Sequence, residues 1–173
     1  MELVKVPKLI TKLIKSSSKD ERKRGIDSFL MRTNWNINGT PEDLKRFACR
    51  QLHLRIDHVA EEFQILNPKY IWASQDGLEK EKMEMVKAAY DYYQERDLEF
   101  PPIIVWHFYG ENRMRYICHD GHHRTYFLHK KRKRIKAVVL EPLGNYEIVE
   151  NKFRYAFQIQ KKVIKLPIHS IEL

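Results

Sequence analysis

An α/β (α+β) fold, a small mixed sheet flanked by helices with an N-terminal helical extension, is what this 173-residue sequence predicts. Three observations carry that reading. Segments near 61–66, 102–108, 113–119 and 135–140 are apolar or alternating and of strand length. Residues 79–96 carry Met83, Val86, Ala89, Tyr90 and Tyr93 at helical spacing, which gives one side for packing on a sheet. At His119-Asp-Gly-His-His-Arg-Thr125 the period-two pattern gives way to a stretch without breakers, so a strand runs into a helix there.

Taken in order, residues 1–60 read as a mainly helical extension and 61–173 as the main domain. Ser16-Ser-Ser18 leads into a polar first turn, and Gly25 interrupts before Ile26. Thr40-Pro-Glu-Asp43 is a helix start, with a capping hydroxyl, a proline in the first turn and acids at the positive dipole end. Leu44, Phe47, Ala48 and Leu52 then form one apolar face, which favours packing over nucleic-acid contact. Asn67–Asp76 is a turn region, and Pro101-Pro102 ends the long helix and opens the next strand. Tyr109–Asn112 and Glu141–Gly144 are turns; 153–159 fits a helix or a strand equally. Tyr90, Tyr92 and Tyr93 could stack on bases, but their apolar area favours a core or rim position.

The 119–125 stretch concentrates the chemistry. A glycine at a strand-to-helix turn lets backbone approach a ligand closely. The first helical turn then offers unpaired N–H groups and the positive end of a dipole. Arg124 adds a planar fork of donors suited to phosphate. Gly121, Arg124 and Thr125 are therefore candidate phosphate contacts, and Asp120, His122 and His123 are candidate catalytic groups. His107, His119, His122 and His123 match no compact zinc framework. A magnesium ion between Asp120 and bound phosphates is the favoured metal, since Mg²⁺ relies on one or two carboxylates plus substrate. His119 also fits a strand-end residue satisfied by hydrogen bonds.

Asp120-Gly-His-His-Arg124, with the hairpin before it and Ile135–Leu140 after it, resembles the ParB/sulfiredoxin-like superfamily. That group includes partition-protein N-terminal domains, sulfiredoxins, ParB-like nucleases and free-serine kinases, and the likeness covers roughly residues 63–142. The resemblance implies that the box cradles nucleotide phosphates and that Ser74-Gln75-Asp76 lies over them. Gln75 stands near the position of the kinases' catalytic glutamate, with Asp76 one residue on. His122 stands where sulfiredoxins carry their reactive cysteine, which argues against sulfinate repair by Cys118 or Cys49. The resemblance thus implies a nucleotide-binding, DNA-associated protein with NTPase or nuclease activity, ATP or CTP as ligand and Mg²⁺ as cofactor. Two alternatives stand: a small-molecule kinase in which Asp76 or Asp120 orients the acceptor hydroxyl, and a non-catalytic nucleic-acid module. Partition proteins carry a helix-turn-helix after this domain; with about 30 residues left after the core strands, a full partition protein is not expected.

Composition sets the setting. A hydrophobic share of 43% supports a real core, and the formal net charge is +9. Lys130-Lys-Arg-Lys-Arg134 puts five cations in a row. They are either a solvated helix end that complements the dipole or a footprint for a polyanion. Further basic residues near both termini favour the polyanion, a nucleic acid, whose binding would weaken steeply with salt. Two cysteines form no disulfide framework, no apolar run approaches the roughly 20 residues a bilayer needs, and the first residues lack a long apolar signal core. A cytoplasmic protein with no membrane partner is expected.

Overall fold

The computed structural model describes residues 40–75, 77–95, 97, 99–108, 115–144 and 167. The segments expected before residue 40, the turn at 109–112, Asp76 and the 153–159 element lie outside them. The described chain is mixed α/β: α1 (Pro41–Leu52), β1 (Val59–Leu66), β2 (Ile71–Trp72), α2 (Lys80–Glu95), β3 (Ile103–Phe108), β4 (Arg115–Asp120), α3 (His122–Lys130) and β5 (Ile135–Pro142). Single turns of 3₁₀-helix at Ile56–His58 and Pro68–Tyr70 lead into β1 and β2.

The five strands form one mixed sheet in the order β1-β5-β3-β4-β2, with β1/β5 and β3/β4 antiparallel and β5/β3 and β4/β2 parallel. The central strands have helices on both sides, which explains why Ile103-Ile-Val-Trp106 and Ala137-Val-Val-Leu140 read as continuous apolar runs. Ile104, Trp106, Ile117, Val138 and Leu140 meet Leu44, Ala48, Cys49 and Leu52 of α1 in one core. Ile103, Val105, Cys118, Ala137 and Val139 meet Val86 and Tyr90 of α2 and Phe127 and Leu128 of α3 in the other. Residues 41–52, placed in the extension by sequence, are thus one of the layers covering the sheet.

Local chemistry sets these elements. Thr40 accepts the Asp43 N–H (3.1 Å) while Asp43 accepts the Thr40 N–H (3.4 Å), closing a capping box at the start of α1. Tyr90 and Tyr93 are buried, Tyr90 edge-on to Phe100 and Phe127, so these rings serve the core. The short β2 was not anticipated, because two residues are too few to show a period.

The chain passes from β1 at one edge to β2 at the other within residues 67–70. A flat sheet would separate its first and fifth strands by about 19 Å, whereas Leu66 to Ile71 reaches about 18 Å fully extended. The sheet therefore coils, and the Tyr116 hydroxyl of β4 donates directly to Gln64 Oε1 of β1 (3.2 Å). No helix among the described residues is long and apolar enough to cross a membrane.

Candidate functional site: the junction of β4 and α3

Residues 115–120 are strand and 122–130 helix, so Gly121 is the junction that the sequence predicts. Its φ of 107° lies in the left-handed region that favours glycine. A Cβ built there would stand 2.3 Å from Ile103 Cγ2. The close approach that requires glycine is thus to the protein's own β3. One step earlier, the β3/β4 register slips by one residue between Ile104 and Val105, a bulge beside the turn.

Arg124 corrects a sequence expectation. Its side chain is 5% exposed, and its fork points inward. Nη1 donates to the carbonyls of Pro101 (3.1 Å) and Pro102 (2.9 Å), and Nη2 to Asp120 Oδ2 (2.9 Å). The planar donors that suit a phosphate suit these oxygens equally. Arg124 therefore holds the chain before β3 against the junction, and ties down one oxygen of a carboxyl that is 38% exposed. Burial pushes that carboxyl above its ordinary range, against the pull of Arg124 and Lys82.

The histidines expected to be catalytic are acceptors for a loop. The Ser74 N–H donates to His122 Nε2 (2.8 Å), and the Glu79 N–H donates to His123 Nε2 (2.9 Å). Both rings must be neutral at that nitrogen to accept, so adjacent residues of α3 hold both ends of the 74–79 loop. Burial first, then His123 and His119, lowers His122 to about 3. Burial first, then Lys82 and Arg124 against the pull of Glu79, lowers His123 to about 4. Neither value suits proton transfer near neutrality. Instead His122 and His123 are positioning residues.

His119 is satisfied within the fold. Trp106 Nε1–H donates to its Nδ1 (2.9 Å), which leaves the proton on Nε2 to donate to Gln51 Oε1 of α1. Burial lowers it to about 3. Ser74 and Thr125 are fully buried; their hydroxyls donate to the Cys118 and Gly121 carbonyls respectively. Gln75 is half-buried and donates to Gly77 O (2.7 Å). Cys49 is buried and its thiol pushed up to about 11, while burial drives the Cys118 thiol well above the ordinary range. Such thiols are poor nucleophiles.

α3 begins at Gly121, which supplies no side-chain cap, and its first turn contains no acid. Through the His123–Glu79 bond this turn meets the beginning of α2, so two helix N-termini converge beside Lys82. Lys82 and Glu79 both stand close enough to act on His123, in opposite senses. Lys82 escaped the sequence reading, because Glu79-Lys80-Glu81-Lys82 is charge-balanced and looks like an ordinary solvated first turn. Glu79 pairs with Lys82 (2.7 Å) at the rim.

Lys130–Arg134 lies at the opposite end of α3 and is exposed throughout. Lys133 N–H donates to Leu128 O (2.9 Å) and Arg132 N–H to His129 O (3.0 Å), with Arg132 at φ 55°: a Schellman ending made without glycine. Nine helical residues at about 1.5 Å each separate this turn from the junction. The junction and the basic run are two places. Among the described residues no three His, Cys, Asp or Glu side chains converge as a metal cluster. Comparison with known protein families, with curated proteins and with solved structures finds no match for this chain.

Proposed function

We propose that this protein binds a nucleotide, such as ATP or CTP, through its phosphates at the converging N-termini of α2 and α3, as a ParB-like protein associated with nucleic acid. The observation that carries the reading is the uncapped first turn of α3 beside Lys82, reached through the Gly121 junction. Amide donors and aligned dipoles at such a point favour an anion without needing a side-chain cation. Ser74 and Glu79, held by His122 and His123, stand beside this turn.

Asp120 is the side chain placed for chemistry. One oxygen is held by Arg124, and the carboxyl remains partly exposed beside the first turn of α3. A single such carboxylate fits Mg²⁺ held jointly with ligand phosphates. When bound, the ion would neutralise phosphate charge and acidify a water for hydrolysis. Arg124 keeps Asp120 oriented through the bond from its Nη2. The exposed cations of 130–134 supply the nucleic-acid surface, separate from the nucleotide.

A thermal-shift and calorimetric screen of nucleotides, with and without Mg²⁺, tests the reading. Stabilisation by a mononucleotide, strengthened by Mg²⁺ and reduced in Asp120→Asn only when Mg²⁺ is present, is expected. A response to oligonucleotides alone would leave a non-catalytic nucleic-acid module instead.

A further inference from the structure

The Lys130–Arg134 turn does not stand alone on the surface. It leads directly into β5, whose first residue, Ile135, pairs with Leu66, the last residue of β1. The end of β1 therefore lies beside the basic turn. On this part of the fold apolar side chains are exposed: Phe63 at 38%, Ile65 at 56% and, in the 3₁₀ turn that packs against α3, Tyr70 at 61%. Phe63 and Ile65 lie on the same side of β1, and the register puts Lys136 directly across from Ile65 and diagonal to Phe63. Lys136 Nζ stands 4.3 Å from the Phe63 ring centroid and Lys69 Nζ 5.9 Å from that of Tyr70. Lys69 and residues 130–134 are exposed. The acids nearby are Glu99, which pairs with Lys136 at 3.2 Å, Glu61, which lies on the same side of β1 as Phe63 and is paired with Lys45, and Glu62, which alternation turns to the other side of β1, where it accepts from Gln64.

We infer that this strip, Phe63, Ile65 and Tyr70 bordered by Lys69, Lys136 and the 130–134 turn, is a binding surface for single-stranded nucleic acid, with bases on the two rings and phosphates along the cations. The inference rests on the nucleic-acid part of the proposed function and is independent of the nucleotide site. Charge selects a polyanion, and the exposed rings select one with flat apolar faces to stack. A duplex keeps its bases stacked internally, so it would engage the cations and leave the rings unused. Lys136 over Phe63 can swing to a phosphate as a base takes its place, and loses only a partly screened pair with Glu99. An exposed edge strand with Phe and Ile side chains is otherwise an aggregation hazard, which an occupant of this kind removes.

The test measures affinity for fluorescent oligo(dT) and oligo(U), for a duplex of matched length, for inorganic polyphosphate and for polyglutamate, each across a salt series. Phe63→Ala and Tyr70→Ala should each weaken single-strand binding at least about fivefold, the scale of one lost stack, with the salt slope and the polyphosphate affinity unchanged. Phe63→Tyr and Tyr70→Phe should retain binding, and because both rings are exposed all four variants should fold. Joint replacement of Lys131, Arg132, Lys133 and Arg134 by alanine should weaken binding of single strands and polyphosphate alike and flatten both salt slopes. Single-strand affinity indifferent to the ring substitutions, or a duplex bound as tightly as a single strand, would overturn the inference while leaving the nucleic-acid reading in place. Ring-dependent binding of polyglutamate would replace the nucleic acid with an acidic protein partner. Failure to bind any nucleic acid would overturn both the strip and the nucleic-acid part of the proposed function.

Discussion

Arg124 Nη2 lies 2.9 Å from Asp120 Oδ2, four residues away across the Gly121 junction. With its other nitrogen on the carbonyls of Pro101 and Pro102, this guanidinium ties the end of β4, the start of α3 and the approach to β3 into one unit. A residue that sequence chemistry offers to a ligand is here a strut for the residue that would meet it.

Arg124→Ala should therefore act first on stability. It strands a carboxylate and two buried carbonyls, at a cost of about 3 kcal/mol. Arg124→Lys should recover little, since one ammonium cannot reproduce the fork. Chemical denaturation measures both. A loss below about 1 kcal/mol in Arg124→Ala would show that the guanidinium is dispensable to the fold.

Gly121→Ala should be among the most damaging single substitutions in the chain. The left-handed φ costs about 1–2 kcal/mol for a residue with a Cβ, and the contact with Ile103 adds an overpacking cost of about 1–3 kcal/mol. A loss of about 2–5 kcal/mol in denaturant midpoint analysis is expected. A near-neutral result would mean that the turn can relax away from Ile103.

Acid should loosen the junction through its histidines. His119 and His122 stand at about 3 and His123 at about 4 in the fold, against about 6.5 in an unfolded chain. The fold prefers all three neutral, so their contribution is complete above about pH 6.5 and is lost as pH falls toward the folded values. Each group then contributes a slope of at most about 1.4 kcal/mol per pH unit. Asp120, raised in the fold, acts in the opposite sense at the acidic end. Hydrogen exchange at the Ser74 and Glu79 amides should accelerate in His122→Ala and His123→Ala respectively, and His122→Gln, whose Oε1 can replace Nε2 as acceptor, should restore much of the protection at Ser74. Exchange at both amides unchanged in the alanine variants would remove the clamp.

The two thiols should be silent in the native protein. Cys49 and Cys118 are buried, with the thiolate disfavoured in each case. A thiol reagent should label neither until the chain is denatured. Rapid labelling under native conditions would contradict their placement in the two cores.

Much of this fold was legible in the sequence because its signals are local. The Thr40-Pro-Glu-Asp43 box, the spacing of Met83 to Tyr93, the apolar runs of β3 and β5 and the break at Gly121 all fell where the elements lie, within a residue or two. The site was less legible because its decisive contacts are long-range. His122 meets Ser74 across 48 residues and His123 meets Glu79 across 44, and no local pattern announces such partners. Arg124 did carry a signal: Asp120 precedes it by four, the spacing of a pair across one helical turn. Its bonds to the carbonyls of Pro101 and Pro102, more than twenty residues away, carried none. Why Trp106 and Gln51 should both choose His119 is evident only once α1 is seen against the sheet.

The amide resonances of His122, His123 and Arg124 offer the most direct measurement on the central claim, that the first turn of α3 receives a phosphate. Titration of ¹⁵N-labelled protein with ATP or CTP in the presence of Mg²⁺ should shift these amides and the Gly121 amide at the lowest ligand concentrations, with saturation, while the amides of Lys131–Arg134 stay in place. Shifts confined to the 130–134 turn, or none at the junction at saturating nucleotide, would contradict it.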